Sequence, residues 1–155
     1  MKTALLFGSS GLIGGHLLNI LIQNNNYNKI KIFVRLKPEI KESKIEIIKA
    51  DFNDLNKHIK DIKGDDCFFC IGTTKKNSPD KNEYKRIERD MPVEIAKIAK
   101  ANSVNSFIYV SSGFADPKNS GAYLRYKGEV EEELKKLNFS KLGIMRPSFL
   151  MGNRK

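Results

Sequence analysis

The sequence predicts an α/β domain with a doubly wound, mainly parallel sheet, and three observations lead to that class. Six short runs rich in β-branched and aromatic residues recur along the 155-residue chain. Longer segments of helical period separate them, and the first run opens directly into a glycine-rich turn. Strands alternating with helices line up in parallel and are covered on both faces, with right-handed crossovers that leave little freedom in topology. A chain of this length predicts one domain over residues 1–155, because a single core this size buries about two-thirds of the surface its unfolded form exposes.

Taken in order, residues 3–7, 30–34, 45–49, 66–71, 106–111 and 141–145 read as strands. Residues 12–22 carry apolar side chains at helical spacing, 93–101 do so more clearly, and 122–137 form a helix-favouring, heavily charged stretch. Asp90 predicts a helix start, since Pro92 would then fall in the first turn, where a missing N–H costs nothing. The polar stretch 73–85, with Pro79, predicts a mobile loop after the fourth strand. A second loop is expected over 115–120, which holds Asp116, Pro117 and Asn119, and Asn24 to Asn26 form a polar turn.

Composition excludes several functions. The chain is 40% apolar and 30% charged, and no apolar run approaches the roughly 18 residues of a membrane span. Its apolar start is too short for a secretory signal core, so a cytoplasmic protein is expected. The formal charge of +10 suggests an affinity for phosphates. However, only 6 of the 28 basic residues are Arg and the lysines are scattered among Asn and Ile, so no specific nucleic-acid face is predicted. Cys67 and Cys70 match a redox or metal pair by spacing. On a strand, residues three apart point to opposite faces, so the sulfurs diverge and two packed thiols are expected. With His16 and His58 the only histidines, no metal site is predicted.

Gly8-Ser9-Ser10-Gly11-Leu12-Ile13-Gly14 lies between the first strand and the first helix, where a dinucleotide pyrophosphate meets helix N-terminal amides. One glycine permits the tight turn, one lets phosphate approach the backbone, and the last lets helix pack on strand. Arg35 ends the second strand, where an NAD-specific domain places an acid for the ribose hydroxyls. An arginine suits a ribose 2′-phosphate instead, so NADP(H) is preferred and NAD(H) remains the alternative. Asp51 could accept from the adenine amino group with Phe52 packing beside it, or could simply cap a turn. Gly72, followed by Thr73 and Thr74, sits at the carboxyl edge of the fourth strand, where a glycine admits the cofactor's second half. Tyr123 and Lys127 are four apart on a predicted helix and share a face. A lysine beside a phenol favours the phenolate, which suits proton transfer, and a serine hydroxyl at Ser111 or Ser112 could orient a carbonyl oxygen.

These motifs, with Arg146-Pro147, resemble the atypical and extended short-chain dehydrogenase/reductases, whose sheet is a Rossmann sheet of order 3-2-1-4-5-6. Cys70-Ile71-Gly72-Thr73-Thr74, the Asp90 helix, Ser111-Ser112 and the run Tyr123 to Glu131 are similar to the Tat-interacting-protein-like branch. The resemblance implies Tyr123 as proton donor, Lys127 as the residue holding the nicotinamide ribose and tuning the tyrosine, and Ser112 as the hydroxyl at the reacting carbonyl. It also implies that Arg146 and Pro147 line the cofactor. Family members continue past the Arg-Pro segment into elements that roof the substrate pocket, whereas this sequence stops at Lys155. A missing roof, a homodimeric or other protein partner that supplies it, or cofactor binding without efficient turnover are the corresponding expectations. The first expectation is thus an NADP(H)-dependent oxidoreductase for a carbonyl or alcohol substrate; the alternative is an NADP(H)-binding regulatory protein.

Overall fold

A computed structural model describes residues 1–152; Asn153, Arg154 and Lys155, the end of the expected domain, lie outside the described residues. Strands β1 (Lys2–Phe7), β2 (Tyr27–Val34), β3 (Ile45–Lys49), β4 (Asp66–Phe69), β5 (Ser106–Val110) and β6 (Lys141–Met145) form one parallel sheet in the order β3-β2-β1-β4-β5-β6. The helices are α1 (Leu12–Gln23), α2 (Lys81–Lys85), α3 (Met91–Ala101) and α4 (Ala122–Lys136). The expected class and strand order are both present.

Strand alternation divides the interior into two layers. Leu5, Phe7, Cys67, Phe69, Phe107 and Tyr109 face α3 and α4, and meet Ile95, Ala96, Ala99, Val130 and Leu134. Ala4, Leu6, Ile30 and Ile32 face the other way, onto Leu18 and Leu21 of α1. Cys67 and Cys70 accordingly lie in different layers as free thiols. Burial pushes Cys67 well above the usual thiol range and Cys70 up to about 11, so neither is a ready thiolate. On the α1 side, Phe68, Cys70, Ile108, Val110 and Met145 line an open apolar depression next to Ile20. Leu12, Ile13 and Leu17 of α1 and Leu150 and Met151 of the segment after β6 form its other walls.

The helix expected to start at Asp90 starts ten residues earlier. Asp80 caps it, accepting from the Glu83 N–H at 2.9 Å, so residues 81–85 of the expected loop are helical. A single π-turn over Arg86–Asp90 then joins α2 to α3, with the Met91 N–H reaching back five residues to the Arg86 carbonyl. Asp90 has helical backbone angles and makes no side-chain cap. Pro92 has no N–H to give, and in a regular helix its ring would press on the Glu88 carbonyl. The wider turn just before it opens the ladder there.

The strand β2 begins at Tyr27, three residues before the expected start, because that residue is anchored. Its hydroxyl donates to Asp66 Oδ2 at 2.6 Å, and the Lys2 ammonium reaches the same oxygen at 3.2 Å. Burial, and next the Asp66 carboxylate, drive the Tyr27 phenol far above its ordinary value. This clamp fastens β1, β2 and β4 at their amino ends, opposite the edge that carries the glycine turn.

Candidate functional site

The glycine turn is built by backbone contact. Gly8 has φ +92°, and a Cβ there would stand 2.6 Å from the Cys70 carbonyl carbon, so the turn lies flat against the end of β4. A Cβ on Gly14 would be 1.9 Å from the Gly8 oxygen, which makes that position the contact between α1 and β1. At Gly11 the nearest atom to such a carbon is the Gly8 oxygen at 3.5 Å, so its hydrogen keeps the space above the turn open. Ser9 is half-buried, Ser10 exposed, and Leu12 and Ile13 open α1 with amides that have no intrahelical partner.

Along the same edge, Arg35 follows β2 with its side chain exposed and makes no hydrogen bond or ion pair among the described residues. Asp51 follows β3. Its Oδ1 accepts from the Asn53 N–H at 3.1 Å and Oδ2 lies 3.4 Å from Lys57 Nζ, so this carboxylate does cap its turn. Those backbone and lysine contacts hold it below the usual carboxylate range. Its own N–H donates to His58 Nε2 at 2.9 Å, which leaves Nδ1–H of His58 to face Asp61 at 3.3 Å. Phe52 packs half-buried on Phe7, ring centroids 6.4 Å apart. Its carbonyl accepts from Arg86 at 2.6 Å. Gly72 is exposed after β4, the Thr73 hydroxyl meets Ser78 at 2.9 Å, and Thr74 Oγ1 accepts from the Asn77 N–H at 3.2 Å.

The end of β5 carries both serines. Ser111 turns inward, 2% exposed, whereas Ser112 is half-buried at the mouth of the loop that precedes α4. Tyr123 and Lys127 share one face of α4, with Lys127 Nζ 5.6 Å from the Tyr123 ring centroid and 5.0 Å from that of Tyr109. The tyrosine is 39% exposed; the lysine is buried and donates to the Val110 carbonyl at 3.3 Å. Arg146 places its fork on Glu131, 2.8 Å from Nε to Oε1 and 2.5 Å from Nη2 to Oε2. Burial alone would raise the Glu131 carboxyl, but the arginine reverses this and holds it below the ordinary value. The Pro147 carbonyl accepts from the Gly113 N–H at 3.0 Å, tying the Arg-Pro segment to the loop after β5.

Three residues to which the sequence assigned no role hold this arrangement: Glu88, and Gly128 and Glu131 from the run Tyr123 to Glu131. Glu88, 1% exposed in the π-turn, accepts from the Thr73 N–H at 2.7 Å and lies 3.2 Å from Lys127 Nζ. Its signal was present as an acid on the otherwise apolar stripe Tyr84, Met91, Ile95, Ala99. Gly128 packs α4 onto the preceding loop so closely that a Cβ would stand 2.3 Å from the Pro117 nitrogen. Glu131 anchors Arg146, a pairing across two elements that no local pattern announces.

A family model described as NAD(P)H-binding matches residues 8–154. The chain belongs to this NAD(P)H-binding family. It is 31% identical over 98% of its length to Protein FMP52-1, mitochondrial, of Scheffersomyces stipitis, and 31% over 99% to Protein HTATIP2 of Rattus norvegicus. It spans 69% and 64% of those two proteins, about two thirds of each. The likeness to the short-chain dehydrogenase/reductases and their Tat-interacting-protein-like branch therefore holds. The Bordetella bronchiseptica enzyme WbmH in complex with NAD+ superposes with TM-score 0.78 at 19% identity, over 100% of this chain and 58% of that one. MoeE5 in complex with UDP-glucuronic acid and NAD gives 0.76 at 19%, over 93% and 54%. These two share the fold. The cytoplasmic expectation is corrected: FMP52 relatives from several fungi are named mitochondrial. The hydropathy of an NAD(P)H-binding core reports the absence of a long apolar span, which does not separate one aqueous compartment from another.

Proposed function

We propose that the chain forms the cofactor-binding portion of an NADP(H)-dependent oxidoreductase acting on a carbonyl or alcohol. One arrangement carries the reading: Tyr123 and Lys127 share a face of α4 and connect through Glu88 and Thr73 to the edge that holds the glycine turn. The residues suit such a cofactor, because the space over Gly11 is open, the first amides of α1 lack partners and Arg35 offers an uncommitted guanidinium among the described residues. The bound nicotinamide would supply or accept the hydride.

The chain's own groups divide the remaining work. Residues Gly8 to Gly14 bind the pyrophosphate, Arg35 the ribose 2′-phosphate, Asp51 and Phe52 the adenine side, and Gly72, Thr73 and Thr74 the second half. Lys127 holds the nicotinamide ribose and favours the phenolate of Tyr123. Tyr123 transfers the proton at its phenolic oxygen, and Ser112 orients the substrate oxygen. Arg146, fixed by Glu131, sets the path of the segment through Pro147 at the edge of this pocket. The names of the FMP52 relatives point to the mitochondrion as the compartment.

Parallel fluorescence titrations with NADPH and NADH, followed by a carbonyl panel, test the proposal. NADPH should bind more tightly than NADH, the difference should vanish in Arg35→Ala, and Tyr123→Phe should reduce turnover by roughly 10² to 10⁴. Binding of neither nucleotide would end it. NADPH binding without turnover on any carbonyl would favour the regulatory reading.

A further inference from the structure

We propose that Glu88 is a positioning residue that makes Lys127 and the Gly72–Thr73 loop one unit, so that the two halves of the nicotinamide side are set together. The inference rests on the reading of Lys127 as the ribose-holding residue. Glu88 comes from the π-turn between α2 and α3, Lys127 from α4 and Thr73 from the end of β4, so three elements converge on one carboxylate. Both charged side chains are almost fully buried, at 1% exposure for Glu88 and 5% for Lys127.

The two carboxylate oxygens have separate tasks. Oε1 accepts the Thr73 N–H at 2.7 Å, and Gly72 lies against the same oxygen, a Cβ there being 3.5 Å away. Oε2 accepts no aligned hydrogen bond among the described residues, and lies 3.2 Å from Lys127 Nζ. A buried ammonium without a counter-charge is costly, so this carboxylate is what permits a charged lysine at that depth. The lysine also meets the Val110 carbonyl and the faces of Tyr109 and Tyr123. Glu88 therefore fixes where the ammonium sits relative to Tyr123. It also ties that position to the loop expected to meet the cofactor.

A charge role and a packing role predict opposite orders for two variants. Glu88→Gln keeps the shape and an acceptor for Thr73 but loses the charge; Glu88→Asp keeps the charge and loses one methylene. We expect NADPH titration to give binding weakened roughly tenfold or more in Glu88→Gln, the scale of one charged hydrogen bond, and largely retained in Glu88→Asp. In a Lys127→Met background, Glu88→Gln should have no further effect. Should Glu88→Gln fail to fold, adding Lys127→Met should restore folding by removing the unpaired charge; a double variant that stays unfolded would overturn the proposal. So would wild-type binding that Glu88→Gln leaves unchanged, or Gln tolerated better than Asp, or effects that add in the double variant. A wild-type chain that binds neither NADPH nor NADH would instead overturn the cofactor reading, and this assignment with it.

Discussion

Gly14 and Gly8 touch through a hydrogen and a carbonyl oxygen, and that contact sets how near α1 comes to the end of β1. Gly14→Ala must push the helix outward or twist the turn, and we expect it to cost about 1–3 kcal/mol, the usual scale of overpacking. Urea denaturation of the purified variant would measure it, and an unchanged midpoint would show that the turn yields freely. At this scale the sequence was informative wherever chemistry is local. Glycine spacing after a strand, an arginine at a strand end and a Tyr-x-x-x-Lys pair are each visible within a few residues. The contacts of Glu88, Glu131 and Gly128 were not, since their partners lie 39, 15 and 11 positions away in Lys127, Arg146 and Pro117 and come together only in the folded chain.

Elements are fastened to one another by two carboxylates whose behaviour with pH follows from their surroundings. Burial by itself would raise Asp66, but hydrogen bonds from Tyr27, Ser106 and Lys2 outweigh it and hold the carboxyl below its ordinary value. Glu131 is treated the same way by Arg146. A folded-state value below the unfolded one stabilises fully above the unfolded value and is lost as pH falls through the folded one. The sheet should therefore lose stability on acidification through the carboxylate range, with neutral conditions as the stable side. Asp66→Asn should start weaker at neutral pH and lose less between about pH 5 and pH 2. Equal acid sensitivity in the two proteins would remove Asp66 as a contributor. Element type was legible for all six strands, but the start of the long helix was misplaced. The Asp90 and Pro92 pattern satisfied the rule for a helix N-terminus, while the decisive signal was the capping pattern Asp80-Lys81-Asn82-Glu83 within a stretch whose polarity suggested a loop.

For the molecule as a whole, the class and strand order were readable because alternation of strand and helix leaves few topologies, while the unequal covering of the sheet was not. Hydrophobic runs announce that strands are buried, not which neighbour buries each face. α1 covers β1 and β2, whereas the same face of β4, β5 and β6 presents Phe68, Ile108, Val110 and Met145 to an open depression. Ile20 is 61% exposed and Met145 51% exposed beside it. The native chain should therefore brighten an apolar-surface dye such as anilinonaphthalene sulfonate, and Ile20→Ser with Met145→Ser should lower that signal without lowering the urea midpoint. A dye left dark by the native protein would mean that the face is covered in solution.

The strand order also dictates a sequence of events. β1 is synthesised before both strands it pairs with, β2 and β4, yet its partner across the β1–β4 seam lies about sixty residues downstream, Ala4 opposite Asp66. Emerging from a ribosome at roughly 5–20 residues per second, β1 must wait several seconds with Leu5 and Phe7 unburied on that side. Such long-range closure slows the search for the native state, because loop entropy is lost before the new contacts form. The clamp of Lys2 and Tyr27 on Asp66, next to the paired hydrogen bonds of Thr3 with Asp65, then marks that the right strand has arrived, and it sits at the end of the seam where β4 begins.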